Sequence, residues 1–243
     1  MNKFLLLTIM LFFSISLQAK SPSQGIAIYK QSINIHASLP KSQAALKAMI
    51  PEFQYMQLKI SFKNNLLRME TMPPADKPKG NGIMVMTSVD NENTVLNVSD
   101  KLLTQYGTVM DIDYLYKQNL GTENIFKFVD EVKTIYGYSC KKAIDEENDF
   151  TIWYQQDSSL VIVPSRDFVN IPGLVVKVEG PQISYDLLSL TEGVVDEALF
   201  AIPEGHKEIS YEQFQDLQEE AMEELLGSQG TNSKMIKSHV KKL

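Results

Sequence analysis

Residues 55–72 read YMQLKISFKNNLLRMETM, and this stretch decides the fold. Apolar and polar side chains alternate on both sides of Lys63-Asn64-Asn65, and asparagine tolerates the left-handed backbone of a tight turn. Alternation with a period of two is typical of a strand that buries one face. Two strands, Tyr55–Phe62 and Leu66–Met72, are therefore predicted to pair as an antiparallel hairpin.

The same alternation recurs along most of the chain, with β-branched and aromatic residues between short polar turns. Further strands are predicted at Gly25–His36, Gly82–Val89, Thr94–Val98, within Lys101–Tyr114, and at Phe126–Thr134, Ser139–Ile144, Phe150–Gln155, Leu160–Val163, Leu174–Val178, Ile183–Leu190 and Glu197–Ala201. The first strand changes phase between Ile28 and Ile33, which predicts a β-bulge or a strong bend. The sequence thus predicts a mainly β (α+β) fold with a strongly curved antiparallel sheet, in effect a half-barrel.

Two helices are predicted beside the sheet. A short helix near 42–49 has Ser42 as N-cap and Pro51 to stop it. An amphipathic helix near the carboxyl end, within 211–227, carries one apolar stripe and an acidic opposite face. The stripe consists of Tyr211, Phe214, Leu217, Ala221 and Leu225. We expect one β domain over 20–210, the helix packed on or beside the sheet so that it closes the inner side, and a flexible basic tail over 228–243.

The amino end predicts export. Met1–Lys3 is a short positive region, Phe4–Leu17 is apolar, and Ala19 offers a small residue for cleavage before Lys20. We interpret residues 1–19 as a signal peptide and expect a periplasmic or secreted protein. No cysteine follows the apolar run, which excludes lipid attachment there, and the mature chain has no stretch long and apolar enough to span a bilayer.

Cysteine content and charge narrow the function further. Cys140 is the single cysteine, so no internal disulfide can form, and we expect a small buried apolar residue. The formal net charge of −7 becomes −8 when Lys3 leaves with the signal peptide. An acidic chain argues against nucleic acid as a partner, because phosphates need a basic surface.

Three stretches carry a family resemblance. Residues 133–143 (KTIYGYSCKKA), Trp153-Tyr154 and residues 168–178 (FVNIPGLVVKV) together resemble the GLPGLI family of exported bacterial proteins, although Asn170-Ile171 stand where the family's naming motif has Gly-Leu. Residues 200–205 (FAIPEG) are similar to the closing strand and turn of lipoprotein-carrier (LolA-like) proteins. The resemblance implies a curved antiparallel sheet whose concave side is closed by helices. It implies no activity, while the better-known LolA-like members carry lipid chains in that concavity.

The residues of these motifs also have a structural interpretation. Gly137 and the pair Pro172-Gly173 are predicted to form turns, with glycine supplying positive φ. Trp153, in an alternating strand, is predicted to anchor the core, and Cys140 to be buried with it.

No stretch predicts an enzyme or a cofactor site. His36, His206 and His239 have no second ligand at zinc spacing, so we assign no catalytic residue. The acidic stretch 145–149 and the pair Asp111 and Asp113 lack the ligand order of an EF-hand, and we interpret both as solvated turns.

Methionines offer a sharper hypothesis. Met84 and Met86 share one face of a predicted strand, and Met69 lies in the preceding strand, whereas Met72 points the opposite way. Three thioethers could bind Cu(I). Alternatively, Met69, Met84 and Met86 fill a sheet face or, with Trp153, line a cavity for an apolar ligand.

The leading hypothesis is a non-enzymatic envelope protein that binds a lipid or a hydrophobic peptide on the concave face of its sheet. The alternative is a protein–protein interaction or structural module that uses the acidic helix and the basic segment Lys234–Lys242.

Overall fold

The computed structural model describes residues 23–39, 47–48, 50–72, 93–109, 111–121, 125–156 and 160–228. Its strands are β1 Gln24–Asn34, β2 Phe53–Lys63, β3 Leu66–Met72, β4 Asn93–Asn97, β5 Leu102–Val109, β6 Ile112–Asn119, β7 Phe126–Ile135, β8 Tyr138–Asp145, β9 Phe150–Gln155, β10 Leu174–Glu179, β11 Ile183–Glu192 and β12 Lys207–Ile209. The α-helices are α1 Ile35–Ser38 and α2 Tyr211–Ser228, and 3-10 helices lie at Arg166–Phe168 and Glu197–Phe200.

All twelve strands form one open, strongly curved sheet, in the order β12-β6-β5-β4-β3-β2-β1-β11-β10-β9-β8-β7. Neighbouring strands are antiparallel, except that β12 runs parallel to β6. The first strand lies in the middle of the sheet, between β2 and β11. Its pairing with β11 joins residues that are far apart in sequence. The prediction of a mainly β fold with a curved antiparallel sheet is confirmed.

The hairpin at 55–72 forms as predicted. Phe62 lies opposite Leu67, and Asn64 in the turn has φ 52°. The predicted irregularity of the first strand is also present, as a register shift between Ile28 and Tyr29. The alternation of apolar residues was thus sufficient to find these features.

Lys101–Tyr114 contains more than one strand, as predicted: β5 and the start of β6, joined by a turn at Asp111, whose φ is 62°. Two other predicted strands differ in the structure. Leu160–Val163 contributes only a single bridge, between Ile162 and Leu174. Glu197–Phe200 is a 3-10 helix, because the Asp196 side chain accepts a hydrogen bond from the Ala198 backbone N–H and caps it. The short strand β12 was not predicted.

Several predictions fall outside the described residues. These are the signal peptide 1–19, most of the helix near 42–49, the strand Gly82–Val89 and all but the first residue of the tail 228–243.

One face of the sheet carries the main core, with Tyr29, Ile60 and Ile152 fully buried on it. We call it the inner face. The strand register agrees with this assignment. Ile60 lies opposite Ala27, which is two residues from Tyr29 on β1 and so shares its face, and Ile152 lies opposite Val178. The inner face is therefore continuous across the middle of the sheet.

The connection between β9 and β10 covers this inner face. We call residues 160–173 the plug. Its apolar side chains are buried against the sheet: Leu160, Ile162, Val163, Phe168, Val169 and Ile171. Phe168 packs edge-on against Phe150 and Tyr185, with ring centroids 5.5 and 6.2 Å away. Arg166 donates a hydrogen bond to Gln118 on β6, so the plug also contacts a strand near the other end of the sheet.

Helix α2 packs on the inner face at one end of the sheet. Phe214 stacks on Tyr116 at 5.3 Å and packs against Tyr114 at 5.2 Å, so the helix lies over the end formed by β5 and β6. The middle of the inner face is covered by the plug, which was not predicted to have this role. The plug offers a broad apolar surface, whereas α2 has a narrow stripe and many carboxylates.

Residues 193–206 cross the opposite, outer face on their way from β11 to β12. Arg68 holds this segment: its guanidinium donates hydrogen bonds to the Leu199 carbonyl (2.7 Å) and to the Tyr106 hydroxyl (3.3 Å). An ion pair between Lys63 and Glu197 adds a second attachment. Apart from α2 at the β5–β6 end, the segments that cover the two faces thus come from connections between strands.

Tyr29 joins the middle of the sheet to β10. Its hydroxyl is buried and donates a hydrogen bond of 2.6 Å to the Val175 carbonyl, and burial raises its pKa. Tyr29→Phe should therefore lower the free energy of unfolding by about 1–2 kcal/mol, because the buried carbonyl loses its donor. Urea unfolding measures this, with the half-exposed Tyr55→Phe as control. Equal effects of the two substitutions would contradict the assigned hydrogen bond.

Gly173 ends the plug in a left-handed conformation, with φ 103°, and a Cβ there would collide with the Gln155 carbonyl oxygen. Gly137 has φ 86° but open space around it. Gly137→Ala should cost about 1 kcal/mol from φ alone, whereas Gly173→Ala should cost on the order of 3 kcal/mol or more. Thermal unfolding of the two variants compares strain with and without a collision. Similar losses would show that the plug tolerates movement at Gly173.

Candidate functional site

An open depression of about 420 Å³ lies on the inner face, beyond the end of the plug. We call it the inner depression. Its walls are Phe128, Val129, Asp130, Lys141, Tyr154, Gln156 and Pro172. Phe128 lies opposite Ala143 on β8, which in turn lies opposite Ile152 on β9, so the depression continues the core surface toward the edge of the sheet. It marks the place where the plug no longer covers the inner face.

Aromatic rings form the apolar wall of the inner depression. Phe128 meets Tyr154 edge to face, with centroids 5.9 Å apart at 74°. Phe128 is 43% exposed although it is a phenylalanine on the core side of the sheet. Pro172 closes the opposite side, where Gly173 turns the plug into β10. Exposed aromatic surface of this kind is typical of apolar ligand sites.

Charged residues of both signs stand at the rim. Asp130 and Lys141 are exposed, and among the described residues neither has an ion-pair partner. Asp130 belongs to a β-bulge: the register passes from Val129 opposite Lys142 to Val132 opposite Lys141, which leaves Asp130 and its neighbour unpaired with β8. The bulge thus places the Asp130 carboxylate at the rim of the inner depression.

A second depression, of about 290 Å³, lies on the outer face at the same end of the sheet. We call it the outer depression. Its walls are Lys133, Thr134, Ile135, Tyr136, Trp153, Lys177 and Glu179. Tyr136 forms the turn between β7 and β8 with an unusual φ of 52°, and its hydroxyl donates a 2.8 Å hydrogen bond to Asp186 on β11. This bond ties the hairpin turn to the outer face.

Trp153 forms the floor of the outer depression and is only 4% exposed. Lys133 and Lys142 lie over its ring, with Nζ 5.4 and 5.5 Å from the centroid, within cation–π distance. The indole Nε1 donates to Glu179, which also accepts from Lys177 at 2.6 Å. The hydrogen bond from Lys177 lowers the pKa of Glu179. These partners saturate one another, so this network is structural.

The structure separates the predicted ligand residues. Met69, opposite Ile60, lies on the inner face and packs against the core. Trp153 lies opposite Lys142 and faces outward, so Met69 and Trp153 do not share a site. Met84 and Met86 lie outside the described residues, and the copper hypothesis stays a prediction.

The motif residues have the conformations predicted for turns and core. Gly137 and Gly173 have positive φ, and Cys140 is fully buried, which raises the pKa of its thiol. Pro172 also lines the inner depression, a role that we did not predict. Phe128 was missed as well. The available signal was the pair Phe126 and Phe128, two aromatics on one strand face, next to a charged stretch.

The acidic turn after β8 is exposed at residues 146–149, as expected. Its first residue, Asp145, is instead only 3% exposed and accepts hydrogen bonds from the backbone N–H groups of Glu147 and Asn148. Within the described ranges, no three His, Cys, Asp or Glu side chains converge as a metal site. Nor is any helix in the part of the chain described here long and apolar enough to cross a membrane.

Protonation of Glu179 should change the fluorescence of Trp153, the only tryptophan, because the indole donates a hydrogen bond to this carboxylate. Because its folded pKa is lowered, ionised Glu179 contributes stability above the ordinary glutamate pKa of about 4.3 and loses it as pH falls through the lower folded value. We expect a change in tryptophan fluorescence in this range that disappears in Glu179→Gln. Glu146→Gln is the control, since Glu146 pairs with Lys127, which is not one of the two lysines over the indole. Persistence of the change in Glu179→Gln would contradict the assignment.

No family model and no curated protein matches the chain. Two solved structures of PNGF-II, in the C2 and P21 space groups, are similar to it in fold. They have TM-scores of 0.53 and 0.54 at 17% and 15% identity, and the match covers 82% and 80% of this chain. The chain spans about a third (33%) of the length of each PNGF-II chain. At this level of identity the likeness concerns the fold alone.

Proposed function

We propose that this protein is an exported, non-enzymatic binding protein of the cell envelope that takes an apolar ligand in the inner depression. The observation that carries the proposal is the exposed aromatic wall of Phe128 beside Tyr154, on the core side of the sheet, where the plug leaves it uncovered. Leaving such a ring in water is unfavourable, and a ligand that covers it gains the corresponding free energy.

The dimensions of the depression support a small or slender ligand. Its volume of about 420 Å³ lies in the range of small-molecule sites, of roughly 300–1,000 Å³. The site differs from the one expected from the sequence. The central concavity holds the side chains of the plug, so a ligand binds at the end of the inner face and not in its middle.

Export and a LolA-like architecture are parts of the same proposal. Export is supported by the signal peptide predicted over residues 1–19. The architecture is supported by a curved antiparallel sheet whose inner face is covered by apolar connections and by α2. The better-known LolA-like proteins carry lipid chains in the concavity of their sheet.

An interaction module is the second candidate, favoured by the outer side of α2. Glu212, Asp216, Glu219 and Glu220 are exposed there. Such a surface suits a basic protein partner. In that case the inner depression would have no role in binding.

A fluorescent fatty acid, dansyl-labelled undecanoic acid, tests the apolar site. Phe128→Ala should weaken its binding by about fivefold: full burial of an aromatic side chain contributes about 1.5–3 kcal/mol, and the 43% of Phe128 that is exposed accounts for roughly 1 kcal/mol of it. Phe53→Ala is the matched control: Phe53 is also an aromatic residue on a strand, is 41% exposed against 43% for Phe128, and lies on β2, away from the depression. Titration followed by fluorescence measures both.

Two results would count against the proposal. One is binding that Phe128→Ala and Phe53→Ala weaken equally, which indicates unspecific adsorption. The other is the absence of binding for both the fatty acid and a hydrophobic peptide, which favours the interaction module.

A further inference from the structure

We infer that the ligand of the inner depression is an extended peptide that adds to the sheet as a strand along β7, and not an acyl chain; this inference rests on the proposed function. Three observations at the depression lead to it: the edge position of β7, the bulge within that strand, and the two opposite charges at the rim.

Strand β7 is the last strand of the sheet. It pairs with β8 on one side, and no strand of the described residues lies on its other side. Its outward backbone N–H and C=O groups therefore run beside Phe128 and Val129, which line the depression. A peptide that places an apolar side chain against Phe128 brings its own backbone to this edge, as in binding by β-strand addition. An acyl chain has no N–H or C=O groups along its length and cannot form hydrogen bonds with this edge.

The bulge limits what can pair with this edge. Asp130 and Glu131 interrupt the register, so the strand is divided into the flanks 126–129 and 132–135. A long, straight edge strand of a second copy cannot pair across this interruption, which is how many proteins avoid edge-to-edge association. A short segment can still pair with residues 127–129 or with the flank 132–135. As far as the described strands go, the edge beside Phe128 is thus open to a peptide and closed to sheet-to-sheet contact.

The charges at the rim also favour a peptide. Asp130 and Lys141 border the depression, both exposed and both without an ion-pair partner among the described residues. A fatty acid carboxylate could approach Lys141, but Asp130 would repel it at the same rim. A peptide with one basic and one acidic side chain complements both charges. The charge pattern therefore selects a ligand that carries both signs.

The test uses the fluorescein-labelled hexapeptide Lys-Val-Phe-Val-Glu-Val and two N-methylated forms, one methylated at the odd-numbered residues and one at the even-numbered residues. An extended peptide presents the N–H groups of alternate residues to one edge. One N-methylated form should lose about fivefold in affinity for each hydrogen bond that it can no longer donate, while the other binds as the parent does, since each lost hydrogen bond costs about 1 kcal/mol. Equal affinities of all three peptides would overturn the inference.

Charge exchange provides an independent test. Asp130→Lys and Lys141→Glu should each weaken binding of the hexapeptide by about fivefold, as for exposed ion pairs of about 1 kcal/mol. The double variant should prefer the peptide in which Lys and Glu are exchanged. Circular dichroism controls for folding of the variants, and the N-methyl comparison needs no variant at all. Lack of any preference in the folded double variant would overturn the charge assignment.

Failure of the inference can be distinguished from failure of the proposed function. If dansyl-labelled undecanoic acid binds in a manner that depends on Phe128 while the hexapeptide does not bind, the apolar site stands and the peptide assignment falls. If neither probe binds, both fall.

Discussion

The structure depends on one constraint: the open sheet cannot bury its apolar inner face by closing on itself, so other parts of the chain must cover it. Tyr29, Ile60 and Ile152 present that face across the middle strands, and Phe168 of the plug packs over it against Phe150 and Tyr185. A barrel would have no such requirement, because its strands surround their own core. Here a connection between two strands supplies the second layer, and Gly173 allows it to return to β10.

The same constraint explains where a binding surface is found. The plug reaches the edge strand β7 at Phe126, whose ring lies 6.4 Å from that of Phe168, and leaves Phe128 and Tyr154 at the open end of the inner face. A surface that would belong to the core if the plug were longer becomes available to another molecule. On the outer face of the same strands, Trp153 is enclosed by lysines and by Glu179, which satisfy one another. The two faces at this end of the sheet therefore differ in chemistry: the inner face exposes aromatic surface beside charges that have no ion-pair partner in the described part of the chain, whereas the polar groups of the outer face pair with one another.

Much of the fold could be predicted from local patterns, and the candidate site largely could not. Residues 55–72 pair as their alternation predicts, and Gly137 and Gly173 adopt the conformations that their turns require. The plug was misread as a strand at 160–163, because a short apolar run is the same whether it pairs in a sheet or packs across one. Phe128 and Lys141, though both at the depression, lie on different strands, and no local pattern relates Pro172 to either of them.

By itself the sequence determined most of the strands, their tight turns, the acidic charge and the amphipathic character of α2, because each depends on residues close together in the chain. The tertiary structure alone decided which layer covers the inner face and where the cover ends. It placed β1 between β2 and β11, set Met69 and Trp153 on opposite faces, and placed α2 at the β5–β6 end. These outcomes depend on competition between distant apolar segments for one surface. That competition is settled by shape and buried area, which a periodic pattern does not record.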